Sequence, residues 1–457
     1  MGKLWQKDYT LDSLVDSFTV GRDPLLDRSL LAADCVASMA HAEMLGAIGL
    51  LGKEEYRDIS RELLALIETS ERGEIEISPD EEDCHTAIEN RLTASLGESG
   101  KRIHAGRSRN DQVIAALRLY IRDFLLTFQS ECLHLVSTLL DAAERNVRLP
   151  MPGRTHMQIA MPSSVGLWLA SFAEELLDDL LHAETAYRLN NQCPLGAAAS
   201  YGVPLPLDRE RVARSLGFPS VQNNVLYVNN SRGKFEAAVL DAGGAVMLTL
   251  SRLAQDLMIF SMPEFGYVSL PDEICTGSSI MPQKRNPDVL ELVRAKTAAV
   301  LSQAHQIKTV LRGLPSGYNR DVQETKAPLM EGAQTALAAV RVMGIVLEKL
   351  TFHRDRLLAG FTPQIYATDR ALELVSGGKS FREAYHEVSA HLKELESMDP
   401  ERAVAAKSYP GAPGNPALDI ARGRAAAHAS RLDAEQARVR SSIEKLIGRP
   451  LELFSTS

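Results

Sequence analysis

The stretch that decides the fold is residues 111–146, DQVIAALRLYIRDFLLTFQSECLHLVSTLLDAAERN, which contains neither proline nor glycine. Its apolar side chains recur in steps of three and four, which places them along one face of a helix. They are Val113, Leu117, Ile121, Phe124, Phe128, Cys132, Leu135 and Leu139. Globular helices commonly have roughly 8–20 residues, so a helix this long needs long partners, from the same chain or from other copies of it.

Similar long patterns flank this stretch and predict an all-α fold. They cover about 161–190, 232–261, 287–312 and 322–350, with segments rich in proline and glycine between them. The low aromatic content of 5% also favours packed helices over sheets. We predict three helical domains. They are an N-terminal domain over 1–105, a central bundle of long helices over 106–352 with a mobile loop near 270–288, and a small C-terminal domain over 353–457.

The overall composition argues against several classes of protein. The 457 residues include 50 Lys and Arg against 59 Asp and Glu, a net charge of −9 that disfavours nucleic acid and anionic membranes as partners. Five scattered cysteines indicate reduced thiols. The N-terminal MGKLWQKDYT lacks the apolar core of a secretory signal, and we find no apolar run long enough to span a membrane. These features predict a cytoplasmic protein.

The most informative candidate site is the segment GSSIMPQKRNP at 277–287. It fits a helix start, with Asn286 as N-cap and Pro287 as the first helical residue. That interpretation leaves unexplained a Gly-Ser-Ser tip with Lys284 and Arg285 beside it. Small residues let a ligand approach closely and a loop lysine can meet a carboxylate, so the segment indicates anion binding and proton transfer.

Two other segments place polar side chains next to helix starts. HAGRSRNDQ (104–112) brings two arginines, side-chain amides and backbone N–H groups to the start of the longest helix, where capping and carboxylate binding are equally favoured. LPSGYNRDVQETK (314–326) would place Gln323 and Lys326 on one face of a first turn, with Tyr318 before them. A solvated polar helix start is the alternative there.

Two histidines are weaker candidates. His156, in the loop segment GRTH, is more often a surface residue than a catalytic one unless other segments converge on it. His85 and Glu89 lie one helical turn apart, as metal ligands can, but no third ligand follows at a suitable spacing. We therefore expect no metal site.

Together these segments resemble the fumarase/aspartase superfamily. GSSIMPQKRNP is similar to its mobile-loop motif, and the argininosuccinate lyase family within it is matched by HAGRSRNDQV, PGRTHMQIAMP, PLGAAASYGVPLPLDRE, LPSGYNRDVQETK, EDCHTAIENRL and ATDRALELVSGGKSFREAYHEV. The match covers nearly the whole chain. It implies elimination of argininosuccinate to arginine and fumarate without a metal or organic cofactor. It also implies a homotetramer with a shared central bundle and active sites built from three subunits.

The resemblance implies roles for the residues of the reaction. Ser278 would be the general base that takes a proton from the succinyl Cβ, giving a carbanion-like aci-carboxylate intermediate. Lys284, helped by Asn286, would stabilise the charge that develops on that carboxylate. His156, paired with Glu291, would protonate the departing guanidinium nitrogen or relay protons, because a carboxylate favours the charged form of histidine and fixes its tautomer.

The resemblance also implies a set of substrate-binding residues. Those for the fumarate-side carboxylates are Ser108, Arg109, Asn110 and Thr155. Those for the arginine side and the remaining carboxylate are Tyr318, Gln323, Lys326 and Arg232. Supporting pocket positions are Asp27, Asp83 and His85.

The chain departs from the family pattern at two places, the region from its start to Asp23 and the segment around Arg232. The start KLWQKDYT differs from relatives. Where relatives commonly carry a serine four residues before Asp27, this chain has Asp23, which cannot donate a hydrogen bond when ionised. Relatives show an Asp-Arg-Asp-Phe type of segment where this chain has SRGKF at 231–235, although Arg232 still aligns. Neither of the last two changes affects the proposed proton-transfer groups.

Two other functions stay open at this point. One is a fumarate-releasing lyase of the same superfamily with a different substrate, against which the segment 108–112 argues. The other is a non-catalytic, crystallin-like relative, against which the retention of Ser278, Lys284, His156 and Glu291 argues.

Overall fold

The computed structural model describes residues 12–454, so the expectations for the N-terminal segment MGKLWQKDYT lie outside the described residues. The N-terminal helices are α1 (Ser13–Val20), α2 (Asp23–Leu26), α3 (Leu31–Ala47), α4 (Lys53–Glu71), α5 (Cys84–Leu96) and α6 (Glu98–Lys101). The central elements are α7 (Arg109–Arg145), β1 (Pro150–Thr155), β2 (Gln158–Ser164), α8 (Val165–Asn190), α9 (Arg209–Ser215), α10 (Val225–Asn230), α11 (Lys234–Ser261), β3 (Val268–Ser269), α12 (Asp288–Leu311), α13 (Lys326–Glu348) and β4 (Thr351–Phe352). The C-terminal helices are α14 (Arg354–Ala359), α15 (Ala367–Ser376), α16 (Phe381–Ala390), α17 (Pro400–Ala405) and α18 (Leu418–Ile447). The all-α class is confirmed.

Helix α7 confirms the long helix predicted over residues 111–146. All eight apolar positions of the predicted stripe are buried. Helix α8 packs along α7, and α11, α12 and α13 pack on one another to complete a bundle of long helices. Ser108 caps α7, because its hydroxyl accepts the Asn110 N–H at 3.3 Å while the Asp111 carboxylate accepts the Ser108 N–H at 2.9 Å.

The loop segment predicted around His156 is instead part of an antiparallel hairpin of β1 and β2. Prolines at 150, 152 and 162 argue against a strand in sequence, since proline has no N–H for a ladder. In a two-stranded sheet, however, each strand has a free edge that needs no donor. His156 and Met157 form the turn with positive φ values of 51° and 62°.

The expectation that no apolar run is long enough to span a membrane was too strong. The stretches Lys234–Ser261 and Arg320–Glu348 are long and apolar enough by length and composition alone. Within the described structure, 67% and 61% of their apolar windows are buried. Core helices of soluble proteins pass the same test, so this finding is weak evidence for a membrane.

The C-terminal region divides between two kinds of packing. Small apolar clusters form around Ile365 with Ala403 and around Ala371 with Ala384, apart from the main core. Helix α18 instead returns to the bundle and packs on α7, α8 and α3. The three-domain division stays a prediction, with α18 sharing the core of the central helices.

Candidate active site

A cavity of about 420 Å³, named here the mixed-charge pocket, lies where distant parts of the chain meet. Both carboxylates and cationic side chains line it. Nine of the candidate residues from the sequence line it: Asp27, Asp83, His85, Arg109, Asn110, Arg232, Tyr318, Gln323 and Lys326. The start of α7, the start of α5, the N-terminal segment and the segment before α13 therefore converge as the candidate site required.

Arg109 is held by two carboxylates at the rim of this pocket. Its Nε lies 2.9 Å from Asp83 Oδ2, and its Nη1 lies 3.0 Å from Glu82 Oε2. Burial alone would raise the pKa of Asp83, but the charges of His85 and Arg109 and the Thr86 N–H outweigh it and hold that pKa below its ordinary value. Arg109 is thus fixed in place between Asp83 and Glu82.

Lys326 forms a buried ion cluster in the same pocket. Its Nζ lies 2.5 Å from Asp27 Oδ1 and 3.1 Å from Asp23 Oδ1. The Lys326 side chain is 1% exposed and that of Asp27 is 0% exposed. Burial would lower the pKa of Lys326, yet the two carboxylates raise it above its ordinary value, so the side chain stays an ammonium.

His85 is oriented from behind by Asp34. Its Nδ1 lies 2.8 Å from Asp34 Oδ2, and both side chains are buried. Burial would lower the pKa of His85, but Asp34 outweighs it and raises that pKa above the ordinary value. The Nε2 atom is buried without a hydrogen-bond partner in the described chain, and the residue lines the pocket.

The same corner contains a group of side chains with the composition of a metal site. Potential ligand atoms of Asp27, Cys84 and His85 lie within 4.8 Å of one another. Lys326 already neutralises Asp27, and burial raises the pKa of the Cys84 thiol well above its usual range. The ammonium of Lys326 already supplies the positive charge beside Asp27.

Arg232 is a buried cation at this pocket. It is 6% exposed and lines the cavity. Its Nε has no hydrogen-bond partner among residues 12–454. Gln323 and Arg320 are held nearby, because both donate to the carbonyl oxygen of Thr19, at 3.2 Å and 2.8 Å. They tie the N-terminal segment to the pocket wall.

The loop at 270–288 folds back on itself outside this pocket. Ser278 Oγ accepts the Met281 N–H at 3.1 Å and the Ile280 N–H at 3.4 Å. Thr276 and Asn286 pair through their backbones at the base of the loop. Lys284 is exposed.

Helix α12 starts slightly later than expected. The prediction of Asn286 as N-cap is wrong by one residue, because the helix begins at Asp288 with Pro287 at the cap. Asn286 is instead occupied in the backbone bridge with Thr276.

The remaining candidates lie on other surfaces of the single chain. Thr155 and His156 are exposed at the β1–β2 hairpin, where Thr155 lines a separate cavity of about 1020 Å³ shared with the C-terminal helices. Glu291 is exposed in the first turn of α12. Within residues 12–454, no hydrogen bond or ion pair joins Ser278, His156 and the mixed-charge pocket. The single chain gathers nine of the binding candidates in the mixed-charge pocket, but neither Thr155 nor the proton-transfer candidates.

Sequence reasoning missed three charged residues of the pocket. Asp23, Glu82 and Arg320 line it as well. Glu82 and Arg320 lie in segments that were named for other candidate residues. Their place beside those candidates was the only indication in the sequence that they line the pocket. Asp23 was noted as a departure from relatives and not as a pocket residue.

Known proteins are similar to this chain over most of its length. A family model described as "Lyase" matches residues 9–302. The chain is 46% identical over 417 residues to an argininosuccinate lyase of Sorangium cellulosum (strain So ce56), covering 91% of this chain and 97% of the relative. It is 42% identical over 423 residues to an argininosuccinate lyase of Xanthomonas campestris pv. campestris (strain B100), covering 92% and 98%. An EDDS lyase structure in complex with formate shares the fold, with a TM-score of 0.79 at 22% identity over 96% and 97% of the two chains.

Proposed function

The chain belongs to the argininosuccinate lyase family of the fumarase/aspartase superfamily, and from this premise we propose how its residues release fumarate from argininosuccinate. The reaction is a reversible carbon–nitrogen elimination that yields arginine and fumarate, a step of arginine biosynthesis. The single observation that carries the assignment of the site is the convergence of nine binding candidates on one mixed-charge pocket.

The pocket would hold the substrate through complementary charges. Arg109 and Asn110 lie at the start of α7, where backbone N–H groups and the helix dipole favour an anion. Arg232 and Lys326 supply buried cations in the same pocket. We assign the fumarate-side carboxylates to Ser108, Arg109, Asn110 and Thr155. The arginine side falls to Tyr318, Gln323, Lys326 and Arg232, with Asp27, Asp83 and His85 in support.

Ser278 is the proposed general base. Serine is a weak base unless its ionised form is stabilised, and hydrogen bonds to the charged form favour that form. The Ile280 and Met281 N–H groups already donate to its Oγ. The alkoxide would take the Cβ proton, Lys284 and Asn286 would stabilise the resulting aci-carboxylate, and the electron pair would then form the C=C bond as the C–N bond breaks.

His156, with Glu291, is the proposed proton donor to the departing guanidino nitrogen. The hairpin carrying His156 and the loop carrying Ser278 both lie on exposed surfaces of the chain. They can serve one pocket if neighbouring subunits bring them there.

Exposed apolar side chains along the long helices support association through the bundle. They are Leu248, Leu292, Leu301 and Ile345. We propose a homotetramer with each site drawn from three subunits, located in the cytoplasm.

A substrate panel tests the reaction. Purified protein with argininosuccinate should show a rise in ultraviolet absorbance from fumarate. Adenylosuccinate and malate serve as the comparison substrates. Turnover of either of them, with no fumarate from argininosuccinate, would reject the assignment.

Subunit mixing tests the shared site. S278A and H156N should each be inactive alone. Co-assembly of the two variants should restore up to about a quarter of wild-type activity, since some sites then receive both the intact serine and the intact histidine from different chains. A mixture that stays as inactive as the separate variants would show that one chain supplies both groups.

A further inference from the structure

The buried carboxylate of Asp111 has an acceptor oxygen that the helix cap does not use. Asp111 is 0% exposed and lies in the first turn of α7, one residue after Asn110. Its Oδ1 accepts the Ser108 N–H at 2.9 Å, which is the bond of a capping box. Its Oδ2 accepts the N–H groups of Gly196 at 3.1 Å and Ala198 at 2.8 Å, from 85 and 87 positions further along the chain. Asp111 therefore joins the start of α7 to a distant connection.

That connection, residues 191–208 and named here the strained connection, contains backbone in an unfavourable conformation. Ala198 and Ser200 have φ values of 50° and 81°, in the left-handed region that residues with a Cβ rarely adopt. Such a conformation persists where the surrounding structure holds it in place. Arg209 donates to one carbonyl oxygen of the connection at 2.9 Å, and Asp111 accepts two of its N–H groups. Asp111 is therefore one of the groups that fix this conformation.

The strained connection also lies against the second segment that carries binding candidates. A Cβ added to Gly317 would lie 3.4 Å from Tyr201 Oη in the connection. Gly317 directly precedes Tyr318, which lines the mixed-charge pocket. Through the connection, Asp111 thus links the start of α7, which supplies Arg109 to the pocket, with the segment that supplies Tyr318.

We propose that Asp111 is a positioning residue for substrate binding, whose carboxylate holds the start of α7 and the strained connection at the separation that the substrate requires. Its side chain is fully buried, so it acts through the pocket residues Arg109 and Asn110 beside it. The proposal rests on the proposed function, because those two residues are assigned there to the carboxylates of argininosuccinate.

A purely structural role for Asp111 is the competing explanation, and Asp123 supplies the matched control. Asp123 lies on the same helix, about 21 Å from Arg109 along the axis of α7. Its Oδ2 likewise accepts two backbone N–H groups from a distant segment, those of Leu453 at 2.7 Å and Phe454 at 2.9 Å. Burial raises the pKa of both carboxyl groups above the ordinary value. Loss of either carboxylate therefore removes the same charge from α7 and disturbs a similar tertiary contact.

Steady-state kinetics of D111N and D123N with argininosuccinate separate the two explanations. The amide of D111N has one acceptor oxygen in place of two, so at least one of the three N–H groups loses its acceptor. The thermal midpoints of both variants should fall. In D111N alone, kcat/KM should also fall about ten- to a hundredfold, mainly through a higher KM, because Arg109 and Asn110 are displaced. D123N should keep kcat/KM within twofold of the wild type.

A folded D111N with kcat/KM within twofold of the wild type, or an equal loss in D123N, would overturn the positioning role while the wild type still releases fumarate. If the wild type releases no fumarate from argininosuccinate, the proposed function fails and this role fails with it.

Circular dichroism checks folding. If D111N does not fold, D111E decides, because glutamate keeps two charged acceptor oxygens and separates the two segments by an extra methylene. A folded D111E should show the same loss in kcat/KM. Wild-type kinetics in D111E, or unfolding of both variants, would overturn the proposal.

Discussion

Replacing Lys326 with methionine should destabilise the protein far more than an ordinary loss of an ion pair. K326M leaves Asp27 and Asp23 buried without their cation. Removing one partner of a buried pair costs about 3–5 kcal/mol, because the remaining charge is uncompensated. The exposed fractions of 1% for Lys326 and 0% for Asp27 place this pair in that class.

The matched control is K308M. Lys308 pairs with Asp241 on the surface, with exposed fractions of 49% and 51%. Loss of such a pair costs about 0–1 kcal/mol because water screens both charges. The two variants remove the same side chain and the same charge, so their difference isolates burial.

The penalty in K326M should depend on pH. Burial already raises the pKa of Asp23, and Lys326 is the main group that lowers it, so the variant should raise it further. A carboxyl with a raised pKa in the folded state destabilises that state above this pKa, and the effect disappears below the unfolded value of about 3.9. The difference in the free energy of unfolding between wild type and K326M should therefore become smaller from about pH 8 to about pH 5.

Urea unfolding followed by far-ultraviolet circular dichroism, without substrate, measures this gap. The expected order of free energies of unfolding is wild type, K308M and then K326M well below both. Equal losses in K326M and K308M, or a gap that does not change with pH, would refute the ion cluster as a buried structural element.

Two further perturbations address the supports of the site. In G153A, the new Cβ would lie 2.6 Å from the Met161 carbonyl oxygen, so the hairpin must shift and turnover should fall about tenfold or more. The control is G423A, whose new Cβ meets open space in a helix, and it should be neutral or stabilise the fold by about 0.5–1 kcal/mol. Steady-state kinetics measure the effect on turnover, and thermal melts measure the effect on stability. In D34N, the partner that raises the pKa of His85 is lost. The wild type should lose stability as pH rises from about 6.5 through that raised pKa. The thermal midpoint of D34N should be lower and should change less with pH over the same range. Parallel dependences of the two midpoints on pH would contradict this role of Asp34.

The long helices were predictable because their cause is local. An apolar stripe such as that of residues 113–139 forms wherever the chain must bury one helix face. The β1–β2 hairpin was not predictable from the same rules, since Pro150, Pro152 and Pro162 count against strands except at a free edge. The start of α12 was displaced by one residue because Asn286 pairs with Thr276 across the loop, a contact that the local sequence does not encode.

The binding site was predictable in part. Motifs around Arg109 and Lys326 identified residues that do share one pocket, since both stand at helix starts that face the N-terminal segment. Asp23 lies 3.1 Å from Lys326, about 300 positions away in sequence, and no local pattern indicates such a contact. Ser278 and His156 lie on exposed segments of the chain. In the proposed tetramer they would reach the pocket of a neighbouring subunit, which the sequence of one chain does not show.

The rate of fumarate release by S278A saturated with argininosuccinate shows whether a seryl oxygen accepts the carbon-bound hydrogen. We expect turnover to fall about 10²–10⁴-fold or more with substrate affinity nearly unchanged. A variant that still releases fumarate at the wild-type rate would contradict this role of Ser278.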